Sequence, residues 1–161
     1  MRMKTLITYY SFSGNTDKVA NIFADVLRKK GEVVLQRLKP ADEIQKFALQ
    51  CKAAFMGKRA VLEGDVQFDL GQYDLLLIGS PVWAFAFPPS INTYLDKLSG
   101  LNGKRVIILL TSGSGTGVNR CFKNIRKVLE SKGASKVDEV NVPDRKLNDT
   151  GFITAALEKV L

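Results

Sequence analysis

Two short stretches constrain the fold more than anything else in the chain. Residues 73–78 (Tyr-Asp-Leu-Leu-Leu-Ile) and 105–110 (Arg-Val-Ile-Ile-Leu-Leu) are almost continuously apolar. A strand of this kind needs cover on both faces, which is the situation at the centre of a parallel sheet and not in a half-exposed antiparallel one. Around them, β-rich runs alternate with amphipathic segments. Residues 5–9 (Thr-Leu-Ile-Thr-Tyr) read as a first strand. Residues 15–30 place Val19, Ile22, Phe23, Val26 and Leu27 at helical spacing before Gly31 stops the helix. Residues 32–38 read as a second strand, 90–98 as a helix entered through Pro88 and Pro89, and 118–132 as another helix. The spacing then predicts a final strand over 135–142 and a closing helix over 149–161. Only 40–72 resists this scheme, with a short helix around 42–55 and then an irregular basic loop through Lys58 and Arg59. Five strands with connecting helices in 161 residues predict an α/β fold, an open doubly wound parallel sheet with helices on both faces, because a barrel takes about 250 residues. One domain over residues 1–161 is expected.

Composition narrows the chemistry. The chain has no histidine, so the usual general base, the Ser-His-Asp and Cys-His relays and the commonest zinc ligand are all missing. Cys51 and Cys121 are the only soft ligands, and no metal site is expected. Two cysteines with no signal-like N-terminus read as reduced thiols in the cytoplasm. No apolar run approaches the roughly 20 residues of a membrane helix. Lys and Arg number 24 against 16 Asp and Glu, a formal charge of +8. That surplus favours an anionic ligand, an acidic partner or nonspecific contact with nucleic acid.

Ligands of doubly wound sheets bind outside the carboxyl ends of the strands, which leaves three loops: 10–16, 80–89 and 112–117. The first, Ser11-Phe12-Ser13-Gly14-Asn15-Thr16, joins a strand to a helix. A helix start offers unpaired N–H groups and the positive end of the dipole, three hydroxyls surround it, and Gly14 permits close approach of an anion. The simpler reading is an N-cap cluster that only starts the helix. There is no Walker lysine, which disfavours triphosphate hydrolysis. In the second loop, Trp83, Phe85 and Phe87 alternate with Ala84 and Ala86. They form either an edge extension of the strand or an apolar wall for a flat ring, and Pro88 and Pro89 argue against the strand. The third, Ser112-Gly113-Ser114-Gly115-Thr116-Gly117, lacks the spacing and the closing acid of a dinucleotide fingerprint.

Taken together, Tyr10-Ser11-Phe12-Ser13-Gly14-Asn15-Thr16, then Gly79-Ser80-Pro81-Val82-Trp83, then Thr111-Ser112-Gly113 resemble the three cofactor loops of the flavodoxins, in the right order over nearly the whole chain. Phe55-Met56-Gly57 and the Ser-Pro-Val-Trp-Ala phrase are similar to short flavodoxin-like proteins of bacteria and archaea. The resemblance implies a flavodoxin-like sheet of order 2-1-3-4-5 and FMN as cofactor. It implies that Ser11, Phe12, Ser13, Gly14, Asn15 and Thr16 surround the phosphate. It likewise implies that Ser80, Pro81, Val82, Trp83, Ala84 and Phe85 run along the isoalloxazine, and that Thr111, Ser112 and Gly113 meet its pyrimidine side. Phe85 stands where many relatives carry a Gly whose peptide turns over beside the flavin, a turn that costs more without Gly.

The function implied is an FMN-binding flavodoxin-like redox protein that transfers electrons through the flavin, with no catalytic side chain required. The alternatives are an NAD(P)H-dependent FMN or quinone reductase, and a non-catalytic flavin-sensing or nucleic-acid-binding module. Flavodoxins that carry electrons are usually acidic, whereas this chain is basic. Arg120 and Lys123 near the third loop, with Lys58 and Arg59 near the second, suit a nicotinamide dinucleotide or an acidic redox protein as partner. No aromatic-basic interleave supports nucleic acid, and a homodimer is compatible with the sequence. Cys121, in the first turns of a helix, is either a thiol activated by the dipole or a packed one. Cys51 reads as packing.

Overall fold

The structure, a computed structural model, describes residues 2–43, 46–83 and 85–161. In chain order the elements are β1 (Met3–Tyr9), α1 (Asn15–Arg28), β2 (Gly31–Arg37), α2 (Phe47–Phe55), β3 (Leu75–Pro81), α3 (Pro89–Lys97), β4 (Arg105–Ser112), α4 (Val118–Ser131), β5 (Lys136–Pro143) and α5 (Thr150–Glu158), with a short 3-10 turn at Asp144–Lys146. The strands form one sheet of order β2-β1-β3-β4-β5, parallel throughout. This is the flavodoxin-like arrangement that the resemblance implied.

The continuous apolar runs are explained by the two layers they feed. Side chains alternate along a strand, so Leu76, Ile78, Val106, Ile108 and Leu110 pack under α3 and α4 against Ile91, Tyr94, Phe122 and Ile125. Leu75, Leu77, Ile107 and Leu109 pack on the other face against Phe23 and Leu27 of α1 and Ile153 and Leu157 of α5. Among the described residues no helix is long and apolar enough to cross a membrane.

Several boundaries differ from the sequence reading, for local reasons. Tyr73 lies before β3, its N–H donating to the Leu70 carbonyl in a turn. β3 continues instead to Pro81, and β4 to Ser112, with Pro81 opposite Thr111. Proline is tolerated there because it is the last residue of the ladder. Gly31 does more than stop α1. It opens β2 opposite Met3, where a side-chain carbon would come within 1.9 Å of the Met3 carbonyl oxygen. The helix expected over 42–55 is present from Phe47; Ile44 and Gln45 lie outside the described residues. α2 buries only Gln50, Ala53 and Ala54 and leaves Phe47, Leu49 and Phe55 exposed. It is a helix whose large apolar residues face outward.

Candidate functional site

The order of the sheet reverses between β1 and β3, whose carboxyl ends lie side by side. At such a switch point the loops diverge to opposite faces and leave a crevice. β1 delivers the first loop. The Tyr10 N–H donates to the Gly79 carbonyl, and the chain then folds back so that the Gly14 N–H donates to Ser11 Oγ at 3.1 Å. Gly14 takes φ +94 with nothing within 4 Å of where a side chain would stand. No side chain caps α1. The hydroxyls thus do not spend themselves on capping, and the first-turn amides remain available to a ligand.

The loop is braced from both sides. Thr16 Oγ1 and Thr111 Oγ1 are 2.8 Å apart in a buried hydrogen bond that joins the first loop to the third. Arg37, opposite Tyr9 in the register of β2 on β1, donates from Nη2 to the Ser11 carbonyl at 3.0 Å and lies 3.6 Å from Asp17. Consecutive tyrosines leave the strand end on opposite faces: Tyr9 donates to Asp17 and Tyr10 to Glu43. Burial is the main reason that both phenols ionise far above the ordinary tyrosine range.

The second loop is neither an edge strand nor an open wall. Trp83 and Ala86 exchange both backbone hydrogen bonds, each 2.8 Å, which closes a tight turn that carries Phe85. Phe85 has φ +65, the only non-glycine residue with positive φ among those described. That conformation costs about 1 kcal/mol or more for a residue with a Cβ. It is held by close packing on Gly117, where a side-chain carbon would stand 2.8 Å from Phe85 Cα. Trp83 is buried and meets the rings of Tyr10, Phe12 and Phe47 edge to face at 5.6, 5.9 and 5.5 Å. Phe12 and Phe47 are stacked with centroids 6.0 Å apart.

These loops enclose a cavity of about 610 Å³, within the range that holds a cofactor-sized ligand. Phe12, Ser13, Asn15 and Thr16 line it from the first loop, Pro81, Val82 and Trp83 from the second, and Thr111, Ser112 and Gly113 from the third. Of the other residues that the resemblance implied, Ser11 and Gly14 shape the first loop without lining the cavity. Ser80 is buried and donates from Oγ to the Pro81 carbonyl. Phe85 faces an adjoining groove, and Ala84 lies outside the described residues.

Sequence reasoning missed Phe47, Cys51, Asp144 and, one residue past Gly113 in the third loop, Ser114, which also line the cavity. The first two are one helical turn apart in α2, within the stretch that carried no clear periodicity. Asp144 follows β5 directly, and a search of every strand's carboxyl end would have found it. Its Oδ1 is 3.4 Å from Asn15 Nδ2. Among the described residues no group of acids and thiols is placed to hold a metal ion.

The structure decides for the packed reading of Cys121 and gives Cys51, packed against the same core, a place at the cavity wall as well. Cys121 is fully buried, and burial pushes its thiol up to about 11, overriding the adjacent Arg120. Cys51 is half-buried at the cavity wall and is raised by burial as well. Iodoacetamide at pH 8 is therefore expected to label Cys51 slowly and Cys121 only after denaturation, with peptide mass spectrometry as the readout. Native labelling of Cys121 at the faster rate would contradict the burial.

An open α1 N-terminus and an aromatic slot share one cavity at the switch point of a doubly wound sheet, which is the layout of an α/β protein built around a single elongated ligand. A family model described as flavodoxin matches residues 4–146, and the chain belongs to the flavodoxin family. Among solved structures it is similar to a flavoprotein in complex with FMN from Lactobacillus acidophilus, at 23% identity and TM-score 0.69, covering 92% of this chain and 99% of that one. It is also similar to oxidised flavodoxin 2 from Bacillus cereus, at 19% identity and TM-score 0.63, with 98% and 99% covered. An azoreductase from Bacillus anthracis gives 16% identity and TM-score 0.63, with 98% and 96% covered. At these identities the likeness is one of fold.

Proposed function

We propose that this chain is an FMN-binding redox protein, with residues 1–161 acting as one flavodoxin-like domain. The observation that carries the reading is that the uncapped start of α1 and the Trp83 slot open into the same cavity. An anion and a flat apolar ring at the two ends of one molecule match those features, and the L. acidophilus relative is described in complex with FMN. Ser13, Asn15 and Thr16 would hold the phosphate with hydroxyl and amide donors, while Ser11 and Gly14 fix the turn that presents them. Pro81, Val82 and Trp83 would border the ring on one side and Thr111, Ser112 and Gly113 on another. Asp144 would accept hydrogen bonds from hydroxyls of the linking chain. When bound, FMN supplies the electron chemistry. The residues around it bind, orient and exclude water, a division of labour that suits a chain without histidine.

Within this reading we favour electron transfer with a separate redox partner, steered by the net positive charge. The likeness to an azoreductase favours a second version in which NAD(P)H reduces the flavin directly. An absorbance spectrum of the purified protein with added FMN, followed by anaerobic titration with NADH and NADPH, tests both. Bound-flavin bands that bleach only with dithionite are expected for the carrier, and rapid bleaching by a nicotinamide makes it a reductase. Absence of any perturbed flavin spectrum overturns the proposal.

A further inference from the structure

Beside the cofactor cavity lies a second concavity of about 210 Å³, in which Phe55 of α2, the Phe85 turn and Phe87 face Asn92 of α3 and Arg120 and Asn124 of α4. None of these residues lines the cofactor cavity. We propose that this groove binds a small planar aromatic anion, a compound of one or two rings bearing a carboxylate.

Three independent observations support the assignment. The first is the aromatic surface: Phe55 is 65% exposed and Phe85 46%, yet both face the same groove, where an inserted ring can stack on or pack against phenyl groups. The second is backbone conformation. Phe85 is held at φ +65, and residues held in sparsely populated conformations cluster at ligand sites. The left-handed turn points the phenyl into the groove while its neighbour Trp83 lines the cofactor cavity. The third is polar. Arg120 and Asn124 are four residues apart on α4 and so project from one face. Among the described residues neither side chain makes a hydrogen bond or ion pair. Asn92 donates from Nδ2 to the Lys58 carbonyl at 3.2 Å, and an amide nitrogen carries a second N–H that can donate to an anion at the groove it lines.

Size and charge then fix the class. An apolar cavity of about 150 Å³ admits benzene, so this groove takes a ring with a substituent but not a dinucleotide. The planar fork of an unpaired guanidinium is matched to a carboxylate in a two-point contact. A neutral ring would gain the stacking alone, and a cation would meet Arg120.

The test uses the ¹⁵N-labelled full chain in saturating FMN, which keeps the larger cavity closed to the probe, and again without FMN, so that the outcome does not depend on the flavin reading. 2-Naphthoate and its neutral counterpart 2-naphthamide are titrated while chemical shifts are followed. 2-Naphthoate is expected to shift the side-chain amides of Asn92 and Asn124 in both preparations and to bind at least tenfold more tightly than the amide. Arg120→Gln should bring the two probes to within about twofold of each other. Phe55→Ala, at an exposed position that leaves the core untouched, should weaken both. Overturning results are the absence of shifts at Asn92 and Asn124 in the millimolar range, shifts confined to the cofactor loops, or an Arg120→Gln variant that still prefers the carboxylate tenfold.

Discussion

Replacing Ser13 with Asp is expected to weaken FMN binding at least a hundredfold and to leave the fold unchanged. Ser13 is exposed at the cavity wall and makes no hydrogen bond that the fold needs, so a carboxylate there is tolerated in the free protein. A carboxylate at this position would neighbour a phosphate seated at the start of α1. Unit charges about 5 Å apart repel by about 3 kcal/mol at an effective dielectric constant of about 20, more than a hundredfold in affinity, and a phosphate dianion raises it. Ser13→Ala provides the scale, since it removes one hydrogen bond and should cost about 1 kcal/mol, or about fivefold. Titration by quenching of FMN fluorescence measures both, with circular dichroism as the check on folding. Equal affinity for wild type and Ser13→Asp would place the phosphate elsewhere.

Gly79→Ala is expected to lower stability by about 1–3 kcal/mol and to weaken FMN binding with it. Gly79 sits in β3 opposite Tyr9, at the point where α1 crosses the sheet. An added methyl would stand 2.9 Å from Tyr9 Cβ and 3.3 Å from Thr16 Cγ2. Strand and helix must separate to admit it. That movement pulls on the Thr16–Thr111 hydrogen bond and so on the first and third loops together. Urea unfolding monitored by tryptophan fluorescence gives the first quantity and flavin titration the second. An alanine variant as stable as wild type would show that the layer between α1 and β3 is looser than its spacing indicates.

The parts of the molecule legible in the sequence are those where one local pattern has one physical solution. Continuous apolar runs must be covered twice, which puts β3 and β4 at the centre of the sheet. A Ser- and Gly-rich turn between strand and helix serves either a cap or an anion, and both place the first loop at the start of α1. Trp83 stands out for a similar reason, as a large ring between prolines. The rest needs tertiary information. Phe85 alternates with Trp83 and Phe87 as it would in a strand, and nothing local reveals that its backbone is left-handed, because Gly117, 32 residues on, makes the room for it. Phe47 and Cys51 belong to a helix that buries small residues and exposes large ones, the reverse of the pattern by which amphipathic helices are recognised. Arg37 reaches the first loop only because β2 lies beside β1. For Cys121, only its burial decides between an activated thiol and a packed one.

Thr16 with Thr111, Phe12 with Trp83, and Phe85 with Gly117 tie each of the three loops to another, so the cofactor cavity is assembled when the sheet is. A molecule that fits such a cavity has little ordering to impose and a folded form to reward. Bound FMN at a hundred times its dissociation constant would add about 2.7 kcal/mol to the stability of the folded chain. In a cell that removes unfolded chains by proteolysis, an increment of that size changes abundance several-fold. Flavin supply would thereby govern how long each copy of this protein survives, and starvation for riboflavin would deplete the polypeptide as well as its cofactor.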